Sequence, residues 1–459
     1  MLRKALCLVV ALAAPGAAAA QDAQYWTYQF GTRANLLGGA VVGSVVDVSA
    51  TYYNPGALAL IEEPEFIATS KVFELAQIAL EPDFGSQIDL DNLRFDLAPG
   101  FVGGLIPFGF LGDDVVGYSI FTRHQFKANL DATRVGTLDE LPEVTEEGDF
   151  LGLVQLRQDM SELWVGITWS RRLGRRAAIG VSTYVASRNQ KYTNRVLFES
   201  MTAGLEGAFS TQEINWSYWD YRVLLKAGIA AEWQGLSLGF TLTTPSLSVF
   251  NSGKALVNSA QSGLDTDGDG TDNQLFAATF QEGLSASFKS PLSLAVGASY
   301  SPRVSTKIHF STEYFGKVDE RTVMDLDDFE IQSSGDTVSA NLNQKLDDVL
   351  NFALGVEHEF SPTVAGYASF RTDFSARPTE ARADAVVASW DLYFITAGSA
   401  FRIGTADLTL GVSFGWGGET IRRGPASIPT AFEQGLVIGA PGSLKVKYRT
   451  LRFILAFSI

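Results

Sequence analysis

From residue 65 onward the chain is written in segments whose apolar and polar positions alternate with a period of two, the pattern of strands with two unlike faces. In the segment that starts at residue 176, Ile179, Val181, Thr183 and Val185 share one parity, and Gly180, Ser182, Tyr184 and Arg188 share the other. Near 221, Tyr221, Val223, Leu225, Ala227 and Ile229 alternate with Arg222, Lys226, Gly228 and Glu232. Further on, Leu408, Leu410, Val412, Phe414 and Trp416 alternate with Asp407, Thr409, Gly411, Ser413 and Gly415. The last segment keeps Leu451, Phe453, Leu455, Phe457 and Ile459 on one face.

The connections alternate in length. Short joints fall at 111–114, 172–175, 233–235, 301–305, 361–363 and 404–406; long polar stretches fall at 77–95, 131–152, 200–211, 255–277, 318–342, 375–388 and 420–442. Six short joints and seven long loops connect fourteen strands. Short turns at one end and long loops at the other, with an even strand number, is the layout of an outer-membrane barrel. A soluble sandwich would share the alternation, but two features favour lipid. Charges keep to one parity, as they must where a charge on the outer face at mid-bilayer costs roughly 2 to 4 kcal/mol. Aromatic residues stand near strand ends, at Trp164, Trp169, Trp216, Trp219 and Trp233. Closure into a ring also removes the exposed edges of so long a sheet. The expected fold class is all-β, a transmembrane antiparallel β-barrel of about fourteen strands.

Ahead of these strands, residues 31–60 fit neither regular structure. Gly38, Gly39 and Gly43 interrupt an apolar run of Leu36, Leu37, Val41, Val42, Val45 and Val46, and each glycine would cost a helix ~1 kcal/mol. Small, bendable, apolar segments of this kind pack inside something else. The run stops at Tyr52-Tyr53-Asn54-Pro55-Gly56, where Pro55 fixes its own φ and excludes Asn54 from the helical region, so the chain turns sharply. This stretch resembles the N-terminal hatch of the FadL/TodX-type outer-membrane transport family: a Gly/Ala-rich run, an acidic residue (Asp47), then Tyr-Tyr-Asn-Pro-Ala, with Gly56 in place of the Ala. Three further segments are similar to strands of that family: Ser290-Pro-Leu-Ser-Leu-Ala-Val-Gly-Ala-Ser-Tyr300, Thr244-Pro245-Ser246-Leu247, and Phe352-Ala-Leu-Gly-Val-Glu357, the last followed by His358 where Tyr is common. The resemblance covers nearly the whole mature chain, and only the hatch turn is a specific motif.

Residues 1–20 carry Arg3 and Lys4, an apolar core and Ala18-Ala19-Ala20, the layout of a cleavable export signal. The only cysteine, Cys7, lies within it, so the mature chain has no disulfide, thiolate metal site or cysteine nucleophile. Without Arg3 and Lys4 the balance is 33 basic against 51 acidic residues, a net charge of −18, which repels nucleic acid. After the signal there is no apolar run of the ~18 residues that a membrane helix needs.

The inward parity collects Arg123, Lys127, Arg188, Arg222, Lys226, Lys307, His309 and Arg371 with Asp220, Glu232, Glu313, Glu357 and Asp373. Such a ladder either supports a hydrated lumen or supplies a cation for a carboxylate head group. The head-group candidates are Arg123, Arg188, Arg222, Lys226 and Arg371. Asp265, Asp267, Asp269 and Asp272 around Gly268 and Gly270 resemble the first half of a calcium loop, but Phe276 stands where its bidentate Glu would be. The alternatives there are a calcium site in an extracellular loop and a solvated acidic loop. With three histidines and no nucleophile motif, catalysis is not expected.

The resulting expectation is an export signal at 1–20, a hatch at 21–64 built around Asn54, Pro55 and Gly56, and a barrel at 65–459. The chain would be a monomeric outer-membrane channel, without cofactor apart from such calcium, that takes up hydrophobic small molecules passively, long-chain fatty acids foremost and aromatic hydrocarbons next. Its other partners would be outer-membrane lipids and the barrel assembly machinery, with no nucleic acid. The resemblance implies capture between extracellular loops, a site beside the hatch, and exit through a gap at an inward kink of the third strand. That strand, 115–130, holds no Pro or Gly pair to fix a kink. The competing expectation is a structural barrel or adhesin with a permanent plug.

Overall fold

The computed structural model describes residues 23–61, 66–68, 73–82, 92–97, 100–106, 114–138, 147–204, 206–264, 273–378, 390–404, 406–422 and 443–458. Fourteen antiparallel staves form a closed ring. The first is Phe66–Ala68 with Phe73–Pro82, the second Asn92–Leu97 with Phe101–Ile106, the third Asp114–Thr137 and the fourth Gly148–Leu173. The fifth is Ala177–Thr202, the sixth Gly207–Trp233, the seventh Leu236–Thr243 with Leu247–Leu264, and the eighth Asn273–Leu284 with Ser293–Arg303. The ninth to fourteenth are Thr306–Phe315, Val349–Ser361, Val364–Asp373, Leu392–Ile403, Ala406–Arg422 and Ser443–Ser458. The fourteenth pairs with the thirteenth on one side and, through Phe457↔Ala68 and Phe453↔Phe73, with the first on the other, which closes the ring.

Parity separates the two faces along the staves, except at the third, where Arg123 and His124 are both buried, and at the end of the eleventh, where Arg371, Thr372 and Asp373 all are. In the fifth, Val181 and Val185 face outward while Gly180, Ser182, Tyr184 and Arg188 are buried within. Phe453, Leu455 and Phe457 face out in the fourteenth, and Leu410, Val412 and Phe414 in the thirteenth. Trp169, Trp219 and Trp233 are on the outside, but Trp164 and Trp216 are buried inside. Position along a strand does not choose the face; Trp164 shares the parity of buried Glu162, and Trp216 that of buried Asp220. Glu232, expected inside, is exposed at the sixth stave's turn. Among the described residues no helix is long and apolar enough to cross a membrane, a fact that bears only on helices.

The short joints at 174, 235 and 404 are tight turns, with Gly174 and Gly235 at φ 76° and 77°. The polar stretches 131–152, 200–211 and 255–277, expected as loops, are largely strand: the third stave runs to Thr137, the fifth to Thr202, and the seventh to Leu264. Polarity there marks water rather than loss of pairing. Roughly 9 to 11 residues cross the apolar layer, so staves of 24 to 27 residues continue far beyond it as paired arms. The 318–342 connection also holds structure, two small ladders, Val318–Met324 with Leu342–Leu346 and Phe329–Glu330 with Thr337–Val338.

The third stave is irregular despite lacking Pro or a Gly pair. Its register with the fourth shifts between Thr122 and His124, which makes Arg123 a bulge residue. Its pairing with the second stave stops at Phe121↔Phe101, and Asn92–Leu97 pairs with the first stave instead. Among the described residues, no strand pairs with the third stave on that side from Thr122 onward. A bulge supplies the bend that was sought in Pro or Gly, and no residue type announces it.

Candidate functional site in the lumen

Residues 23–61 lie inside the ring and are almost wholly buried. Short helices at Thr32–Leu36 and Ala50–Tyr53 lead to Asn54 in an extended conformation, then to a 3₁₀ turn at Pro55–Leu60. Asn54 Nδ2 donates to the carbonyls of Val42 and of Ile229 on the sixth stave, both at 3.0 Å, and Oδ1 accepts from Gly56 N at 3.2 Å. One amide thus holds the turn, the preceding run and the wall. The wall is shaped to receive it. A Cβ at Gly180 would meet the Pro55 carbonyl, one at Gly228 the Asn54 side chain, and one at Gly239 the Val42 carbonyl. Gly56 matters in the same way. An added Cβ would lie 2.7 Å from the Gly228 carbonyl oxygen and 2.8 Å from that of Ala178, so close approach requires the glycine here, not a positive φ.

Two further anchors tie the segment to the wall. Asp373 accepts from Tyr25 N (2.9 Å), Trp26 N (2.8 Å) and Thr27 Oγ1 (2.7 Å), and Trp26 Nε1 donates to Glu313 (2.7 Å). Arg33 bridges to Glu357, whose carboxylate also lies 3.3 Å from His309 Nε2, and His309 Nδ1 lies 2.9 Å from Ser44 Oγ. This Ser-His-Glu contact is an anchor, since Arg33 Nε already donates to the same Glu357 oxygen at 2.7 Å. Burial pushes the Asp47 carboxyl above its ordinary range, opposed by hydrogen bonds from Ser49 and by the Arg33 charge.

The five head-group candidates are all buried, and they divide by partner. Arg123 donates to the Tyr25 carbonyl and Arg371 to that of Thr27 (2.9 Å), so both hold the N-terminal segment's backbone. Arg188 and Arg222 flank Glu162, Arg188 at 3.1 Å, and Glu162 also accepts from Trp164 Nε1 at 2.6 Å. Lys226 differs. Its ammonium sits 4.6 Å from the centre of the Tyr52 ring and makes no hydrogen bond or ion pair among the described residues. Sequence reasoning missed Glu162, Glu74 and Arg452, the last pair joined at 3.0 Å. Counting parity from Leu451 and Phe453 would have put Arg452 inside; Glu162 shares its parity with Trp164, which was expected near the membrane surface but is buried.

Lys226 borders an aromatic basin. Phe30 contacts Phe121 and Tyr52 at ring distances of 4.5 and 4.9 Å, Phe121 reaches Phe101 and Trp164 at 5.8 Å each, and Trp164 meets Tyr184 at 5.2 Å. Phe101↔Phe121 is the last pair of the ladder between the second and third staves among the described residues, so the basin lies where that ladder ends. Above it, Tyr28 Oη donates to the Gln125 carbonyl on the third stave at 3.1 Å. A second apolar cluster lies further toward the arms, where Tyr192, Trp216, Tyr218 and Phe288 meet Met324, Leu326 and Leu342 of the 318–342 connection. Asp265, Asp267, Asp269 and Asp272 lie outside the described residues, as does the export signal. Among the described residues no group of three or more acidic, His or Cys side chains is arranged to hold a metal.

No protein-family model matches the chain, and no curated protein matches it in sequence. Solved structures do. The Pseudomonas putida toluene transporter TodX is 12% identical over 94% of this chain and 98% of that one, with a TM-score of 0.60. A Pseudomonas aeruginosa FadL homologue is 11% identical over 95% and 99%, with a TM-score of 0.59. The Ralstonia pickettii toluene transporter TbuX is 13% identical over 94% and 98%, with a TM-score of 0.54. With the ring closed at fourteen staves and nearly all of both chains aligned, this chain has the fold of the FadL/TodX-type outer-membrane channels.

Proposed function

We propose that the protein is a passive outer-membrane channel for hydrophobic compounds, and that its preferred cargo carries a carboxylate, as a long-chain fatty acid does. The observation that carries the channel reading is that, among the described residues, the ladder between the second and third staves ends at Phe101↔Phe121, beside an aromatic basin. A ladder is what seals a barrel wall in hydrocarbon, so a place where side chains such as Tyr28 on the Gln125 carbonyl stand in for a neighbouring strand among the described residues supports a route through the wall. Cargo resting against Phe30, Phe121 and Trp164 would leave sideways into the bilayer rather than down through the segment at 23–61, which is the plug.

Lys226 supports the choice of cargo. A buried ammonium without a hydrogen-bonded counter-charge is costly, and a carboxylate arriving beside Tyr52 would satisfy it through a charge-assisted bond. The other four candidates each hold a backbone carbonyl or a carboxylate of this protein, which favours Lys226 for the head-group role. The test is uptake of a labelled long-chain fatty acid and of a neutral aromatic hydrocarbon by cells with and without the protein. Both should enter faster with it, the acid by the larger factor. Equal rates with and without the protein would leave a structural barrel or adhesin as the better account.

A further inference from the structure

The wall is interrupted a second time, five staves from the first break. The seventh and eighth staves pair from Leu236↔Tyr300 to Thr243↔Ser293 and again from Gly253↔Leu284 outward, but residues 244–252 and 285–292 between those ladders form no strand pairs with each other, although 247–252 stay paired with the sixth stave. Side chains do most of the joining, beside one backbone bond from Ser246 N to the Ser290 carbonyl at 3.4 Å. Asn251 Oδ1 accepts from Ala286 N at 2.8 Å and from Ser285 Oγ at 3.3 Å, and Ser246 Oγ accepts from Ser290 N at 2.8 Å.

The eighth stave folds inward across the interruption. Ala286 and Phe288 are buried, Phe288 N donates to Asp220 at 2.8 Å, and the Phe288 ring lies 3.8 Å from the Arg188 guanidinium and 5.1 Å from that of Arg222. Arg222 also donates to Ser290 Oγ at 2.6 Å. On the outside, the seventh stave shows the missing neighbour: Leu247 is 71% exposed and Phe250 68%, against 39% for Leu238 lower on the same stave. Leu247 pairs with Val223, ten residues above Trp233 at the sixth stave's turn. At ~3.3 Å per residue and a tilt of ~40° that is about 25 Å of height, the top of the apolar band. The interruption therefore faces the outer edge of the membrane's hydrocarbon, with an apolar rim outside and Phe288 on two arginines within.

We propose that this interruption is a lateral inlet, through which an apolar molecule already dissolved in the outer leaflet reaches the lumen when the 285–292 segment swings aside. It rests on the uptake reading for its purpose but not for its geometry. The segment is held to the wall by these bonds and to the 318–346 connection by Ser287 N to the Val323 carbonyl at 2.7 Å and a reciprocal Lys289–Gln344 pair at 3.0 and 2.8 Å, so it moves aside together with that connection. The inlet's height suits cargo that partitions into lipid before it meets the protein.

The mature chain has no cysteine, so a staple can be placed cleanly. Asn251→Cys with Ala286→Cys, assembled reduced and then oxidised, fixes the segment in its closed place; Ala255→Cys with Gln281→Cys, a pair already opposite in the ladder, is the control. Fatty-acid uptake should be lost on oxidation of the first pair, return on reduction, and not change in the control. Unchanged uptake with the first disulfide fully formed would overturn the inlet. A lipid-soluble photoreactive fatty acid in vesicles holding the wild-type protein gives an independent reading. Adducts on the buried Phe288, beside those on the lipid-facing 247–250, support the inlet even if no uptake is found, in which case the channel reading alone fails; labelling of 247–250 without Phe288 counts against it.

Discussion

At Lys226 the local chemistry makes a direct demand. Lys226→Met keeps length and apolar contact with Tyr52 while removing the charge, so fatty-acid uptake should fall about ten-fold, the size of one charge-assisted bond of ~1.5 kcal/mol, while a neutral aromatic hydrocarbon enters as before. Equal losses for both cargoes would show that Lys226 supports the fold rather than the head group. Asn54→Ala strands the Val42 and Ile229 carbonyls, and Gly228→Ala drives a methyl into the Asn54 side chain; each should loosen the plug by ~1 to 3 kcal/mol. Leakage of bulky hydrophilic antibiotics measures that loosening. Asp47 adds a pH dependence. Because burial raises its carboxyl from 3.8, the neutral form is favoured in the folded segment, and the resulting stability is complete below 3.8 and is lost as pH rises through the raised value. Asp47→Asn should accordingly protect residues 23–61 from protease at neutral pH better than the native residue does.

Individual elements were legible in the sequence to different degrees. Strand number follows from the alternation of short joints and long connections, ring closure from the need to remove sheet edges, and the lipid-facing residues from parity, because a charge on the wrong face at mid-bilayer is too costly to tolerate. The arms were misread as loops, because once a stave leaves the hydrocarbon both of its faces can be polar and the alternation fades. The bulge at Arg123 left no mark at all; it is a shift in pairing, and pairing is a property of two strands. Partner choice was hidden for the same reason: nothing near Arg371 announces the Thr27 carbonyl, and nothing near Lys226 announces the lack of such a partner. The arms themselves should be dispensable to the barrel. Excising 197–211 from the hairpin above Val196↔Gln212 and joining the ends through a two-residue glycine turn should leave a chain that still folds. Circular dichroism and gel migration before and after boiling check this, and a chain that no longer folds would mean the arms nucleate the ring.

For the molecule as a whole, a closed ladder of fourteen staves resists detergent, so the unboiled protein should migrate differently from the boiled one. Identical migration, with recovery in a water-soluble fraction, would exclude a membrane ring. The plug variants should keep this behaviour, since their lesions lie inside the ring. The plug's anchors also set an order of events in time. Tyr25 and Trp26 are tied to Asp373, Thr27 to Arg371, Tyr25 to Arg123 and Asn54 to the sixth stave, so its attachments reach from the third stave to the eleventh. A segment fastened in so many directions cannot be threaded in after the ring has shut. It must already be seated when the fourteenth stave meets the first, and contacts separated by more than 340 residues make that seating slow. The plug is then the mould on which the wall is cast: supplied in trans as a peptide of residues 23–61 to a barrel lacking them, it should speed refolding when added at the start and do nothing when added after closure.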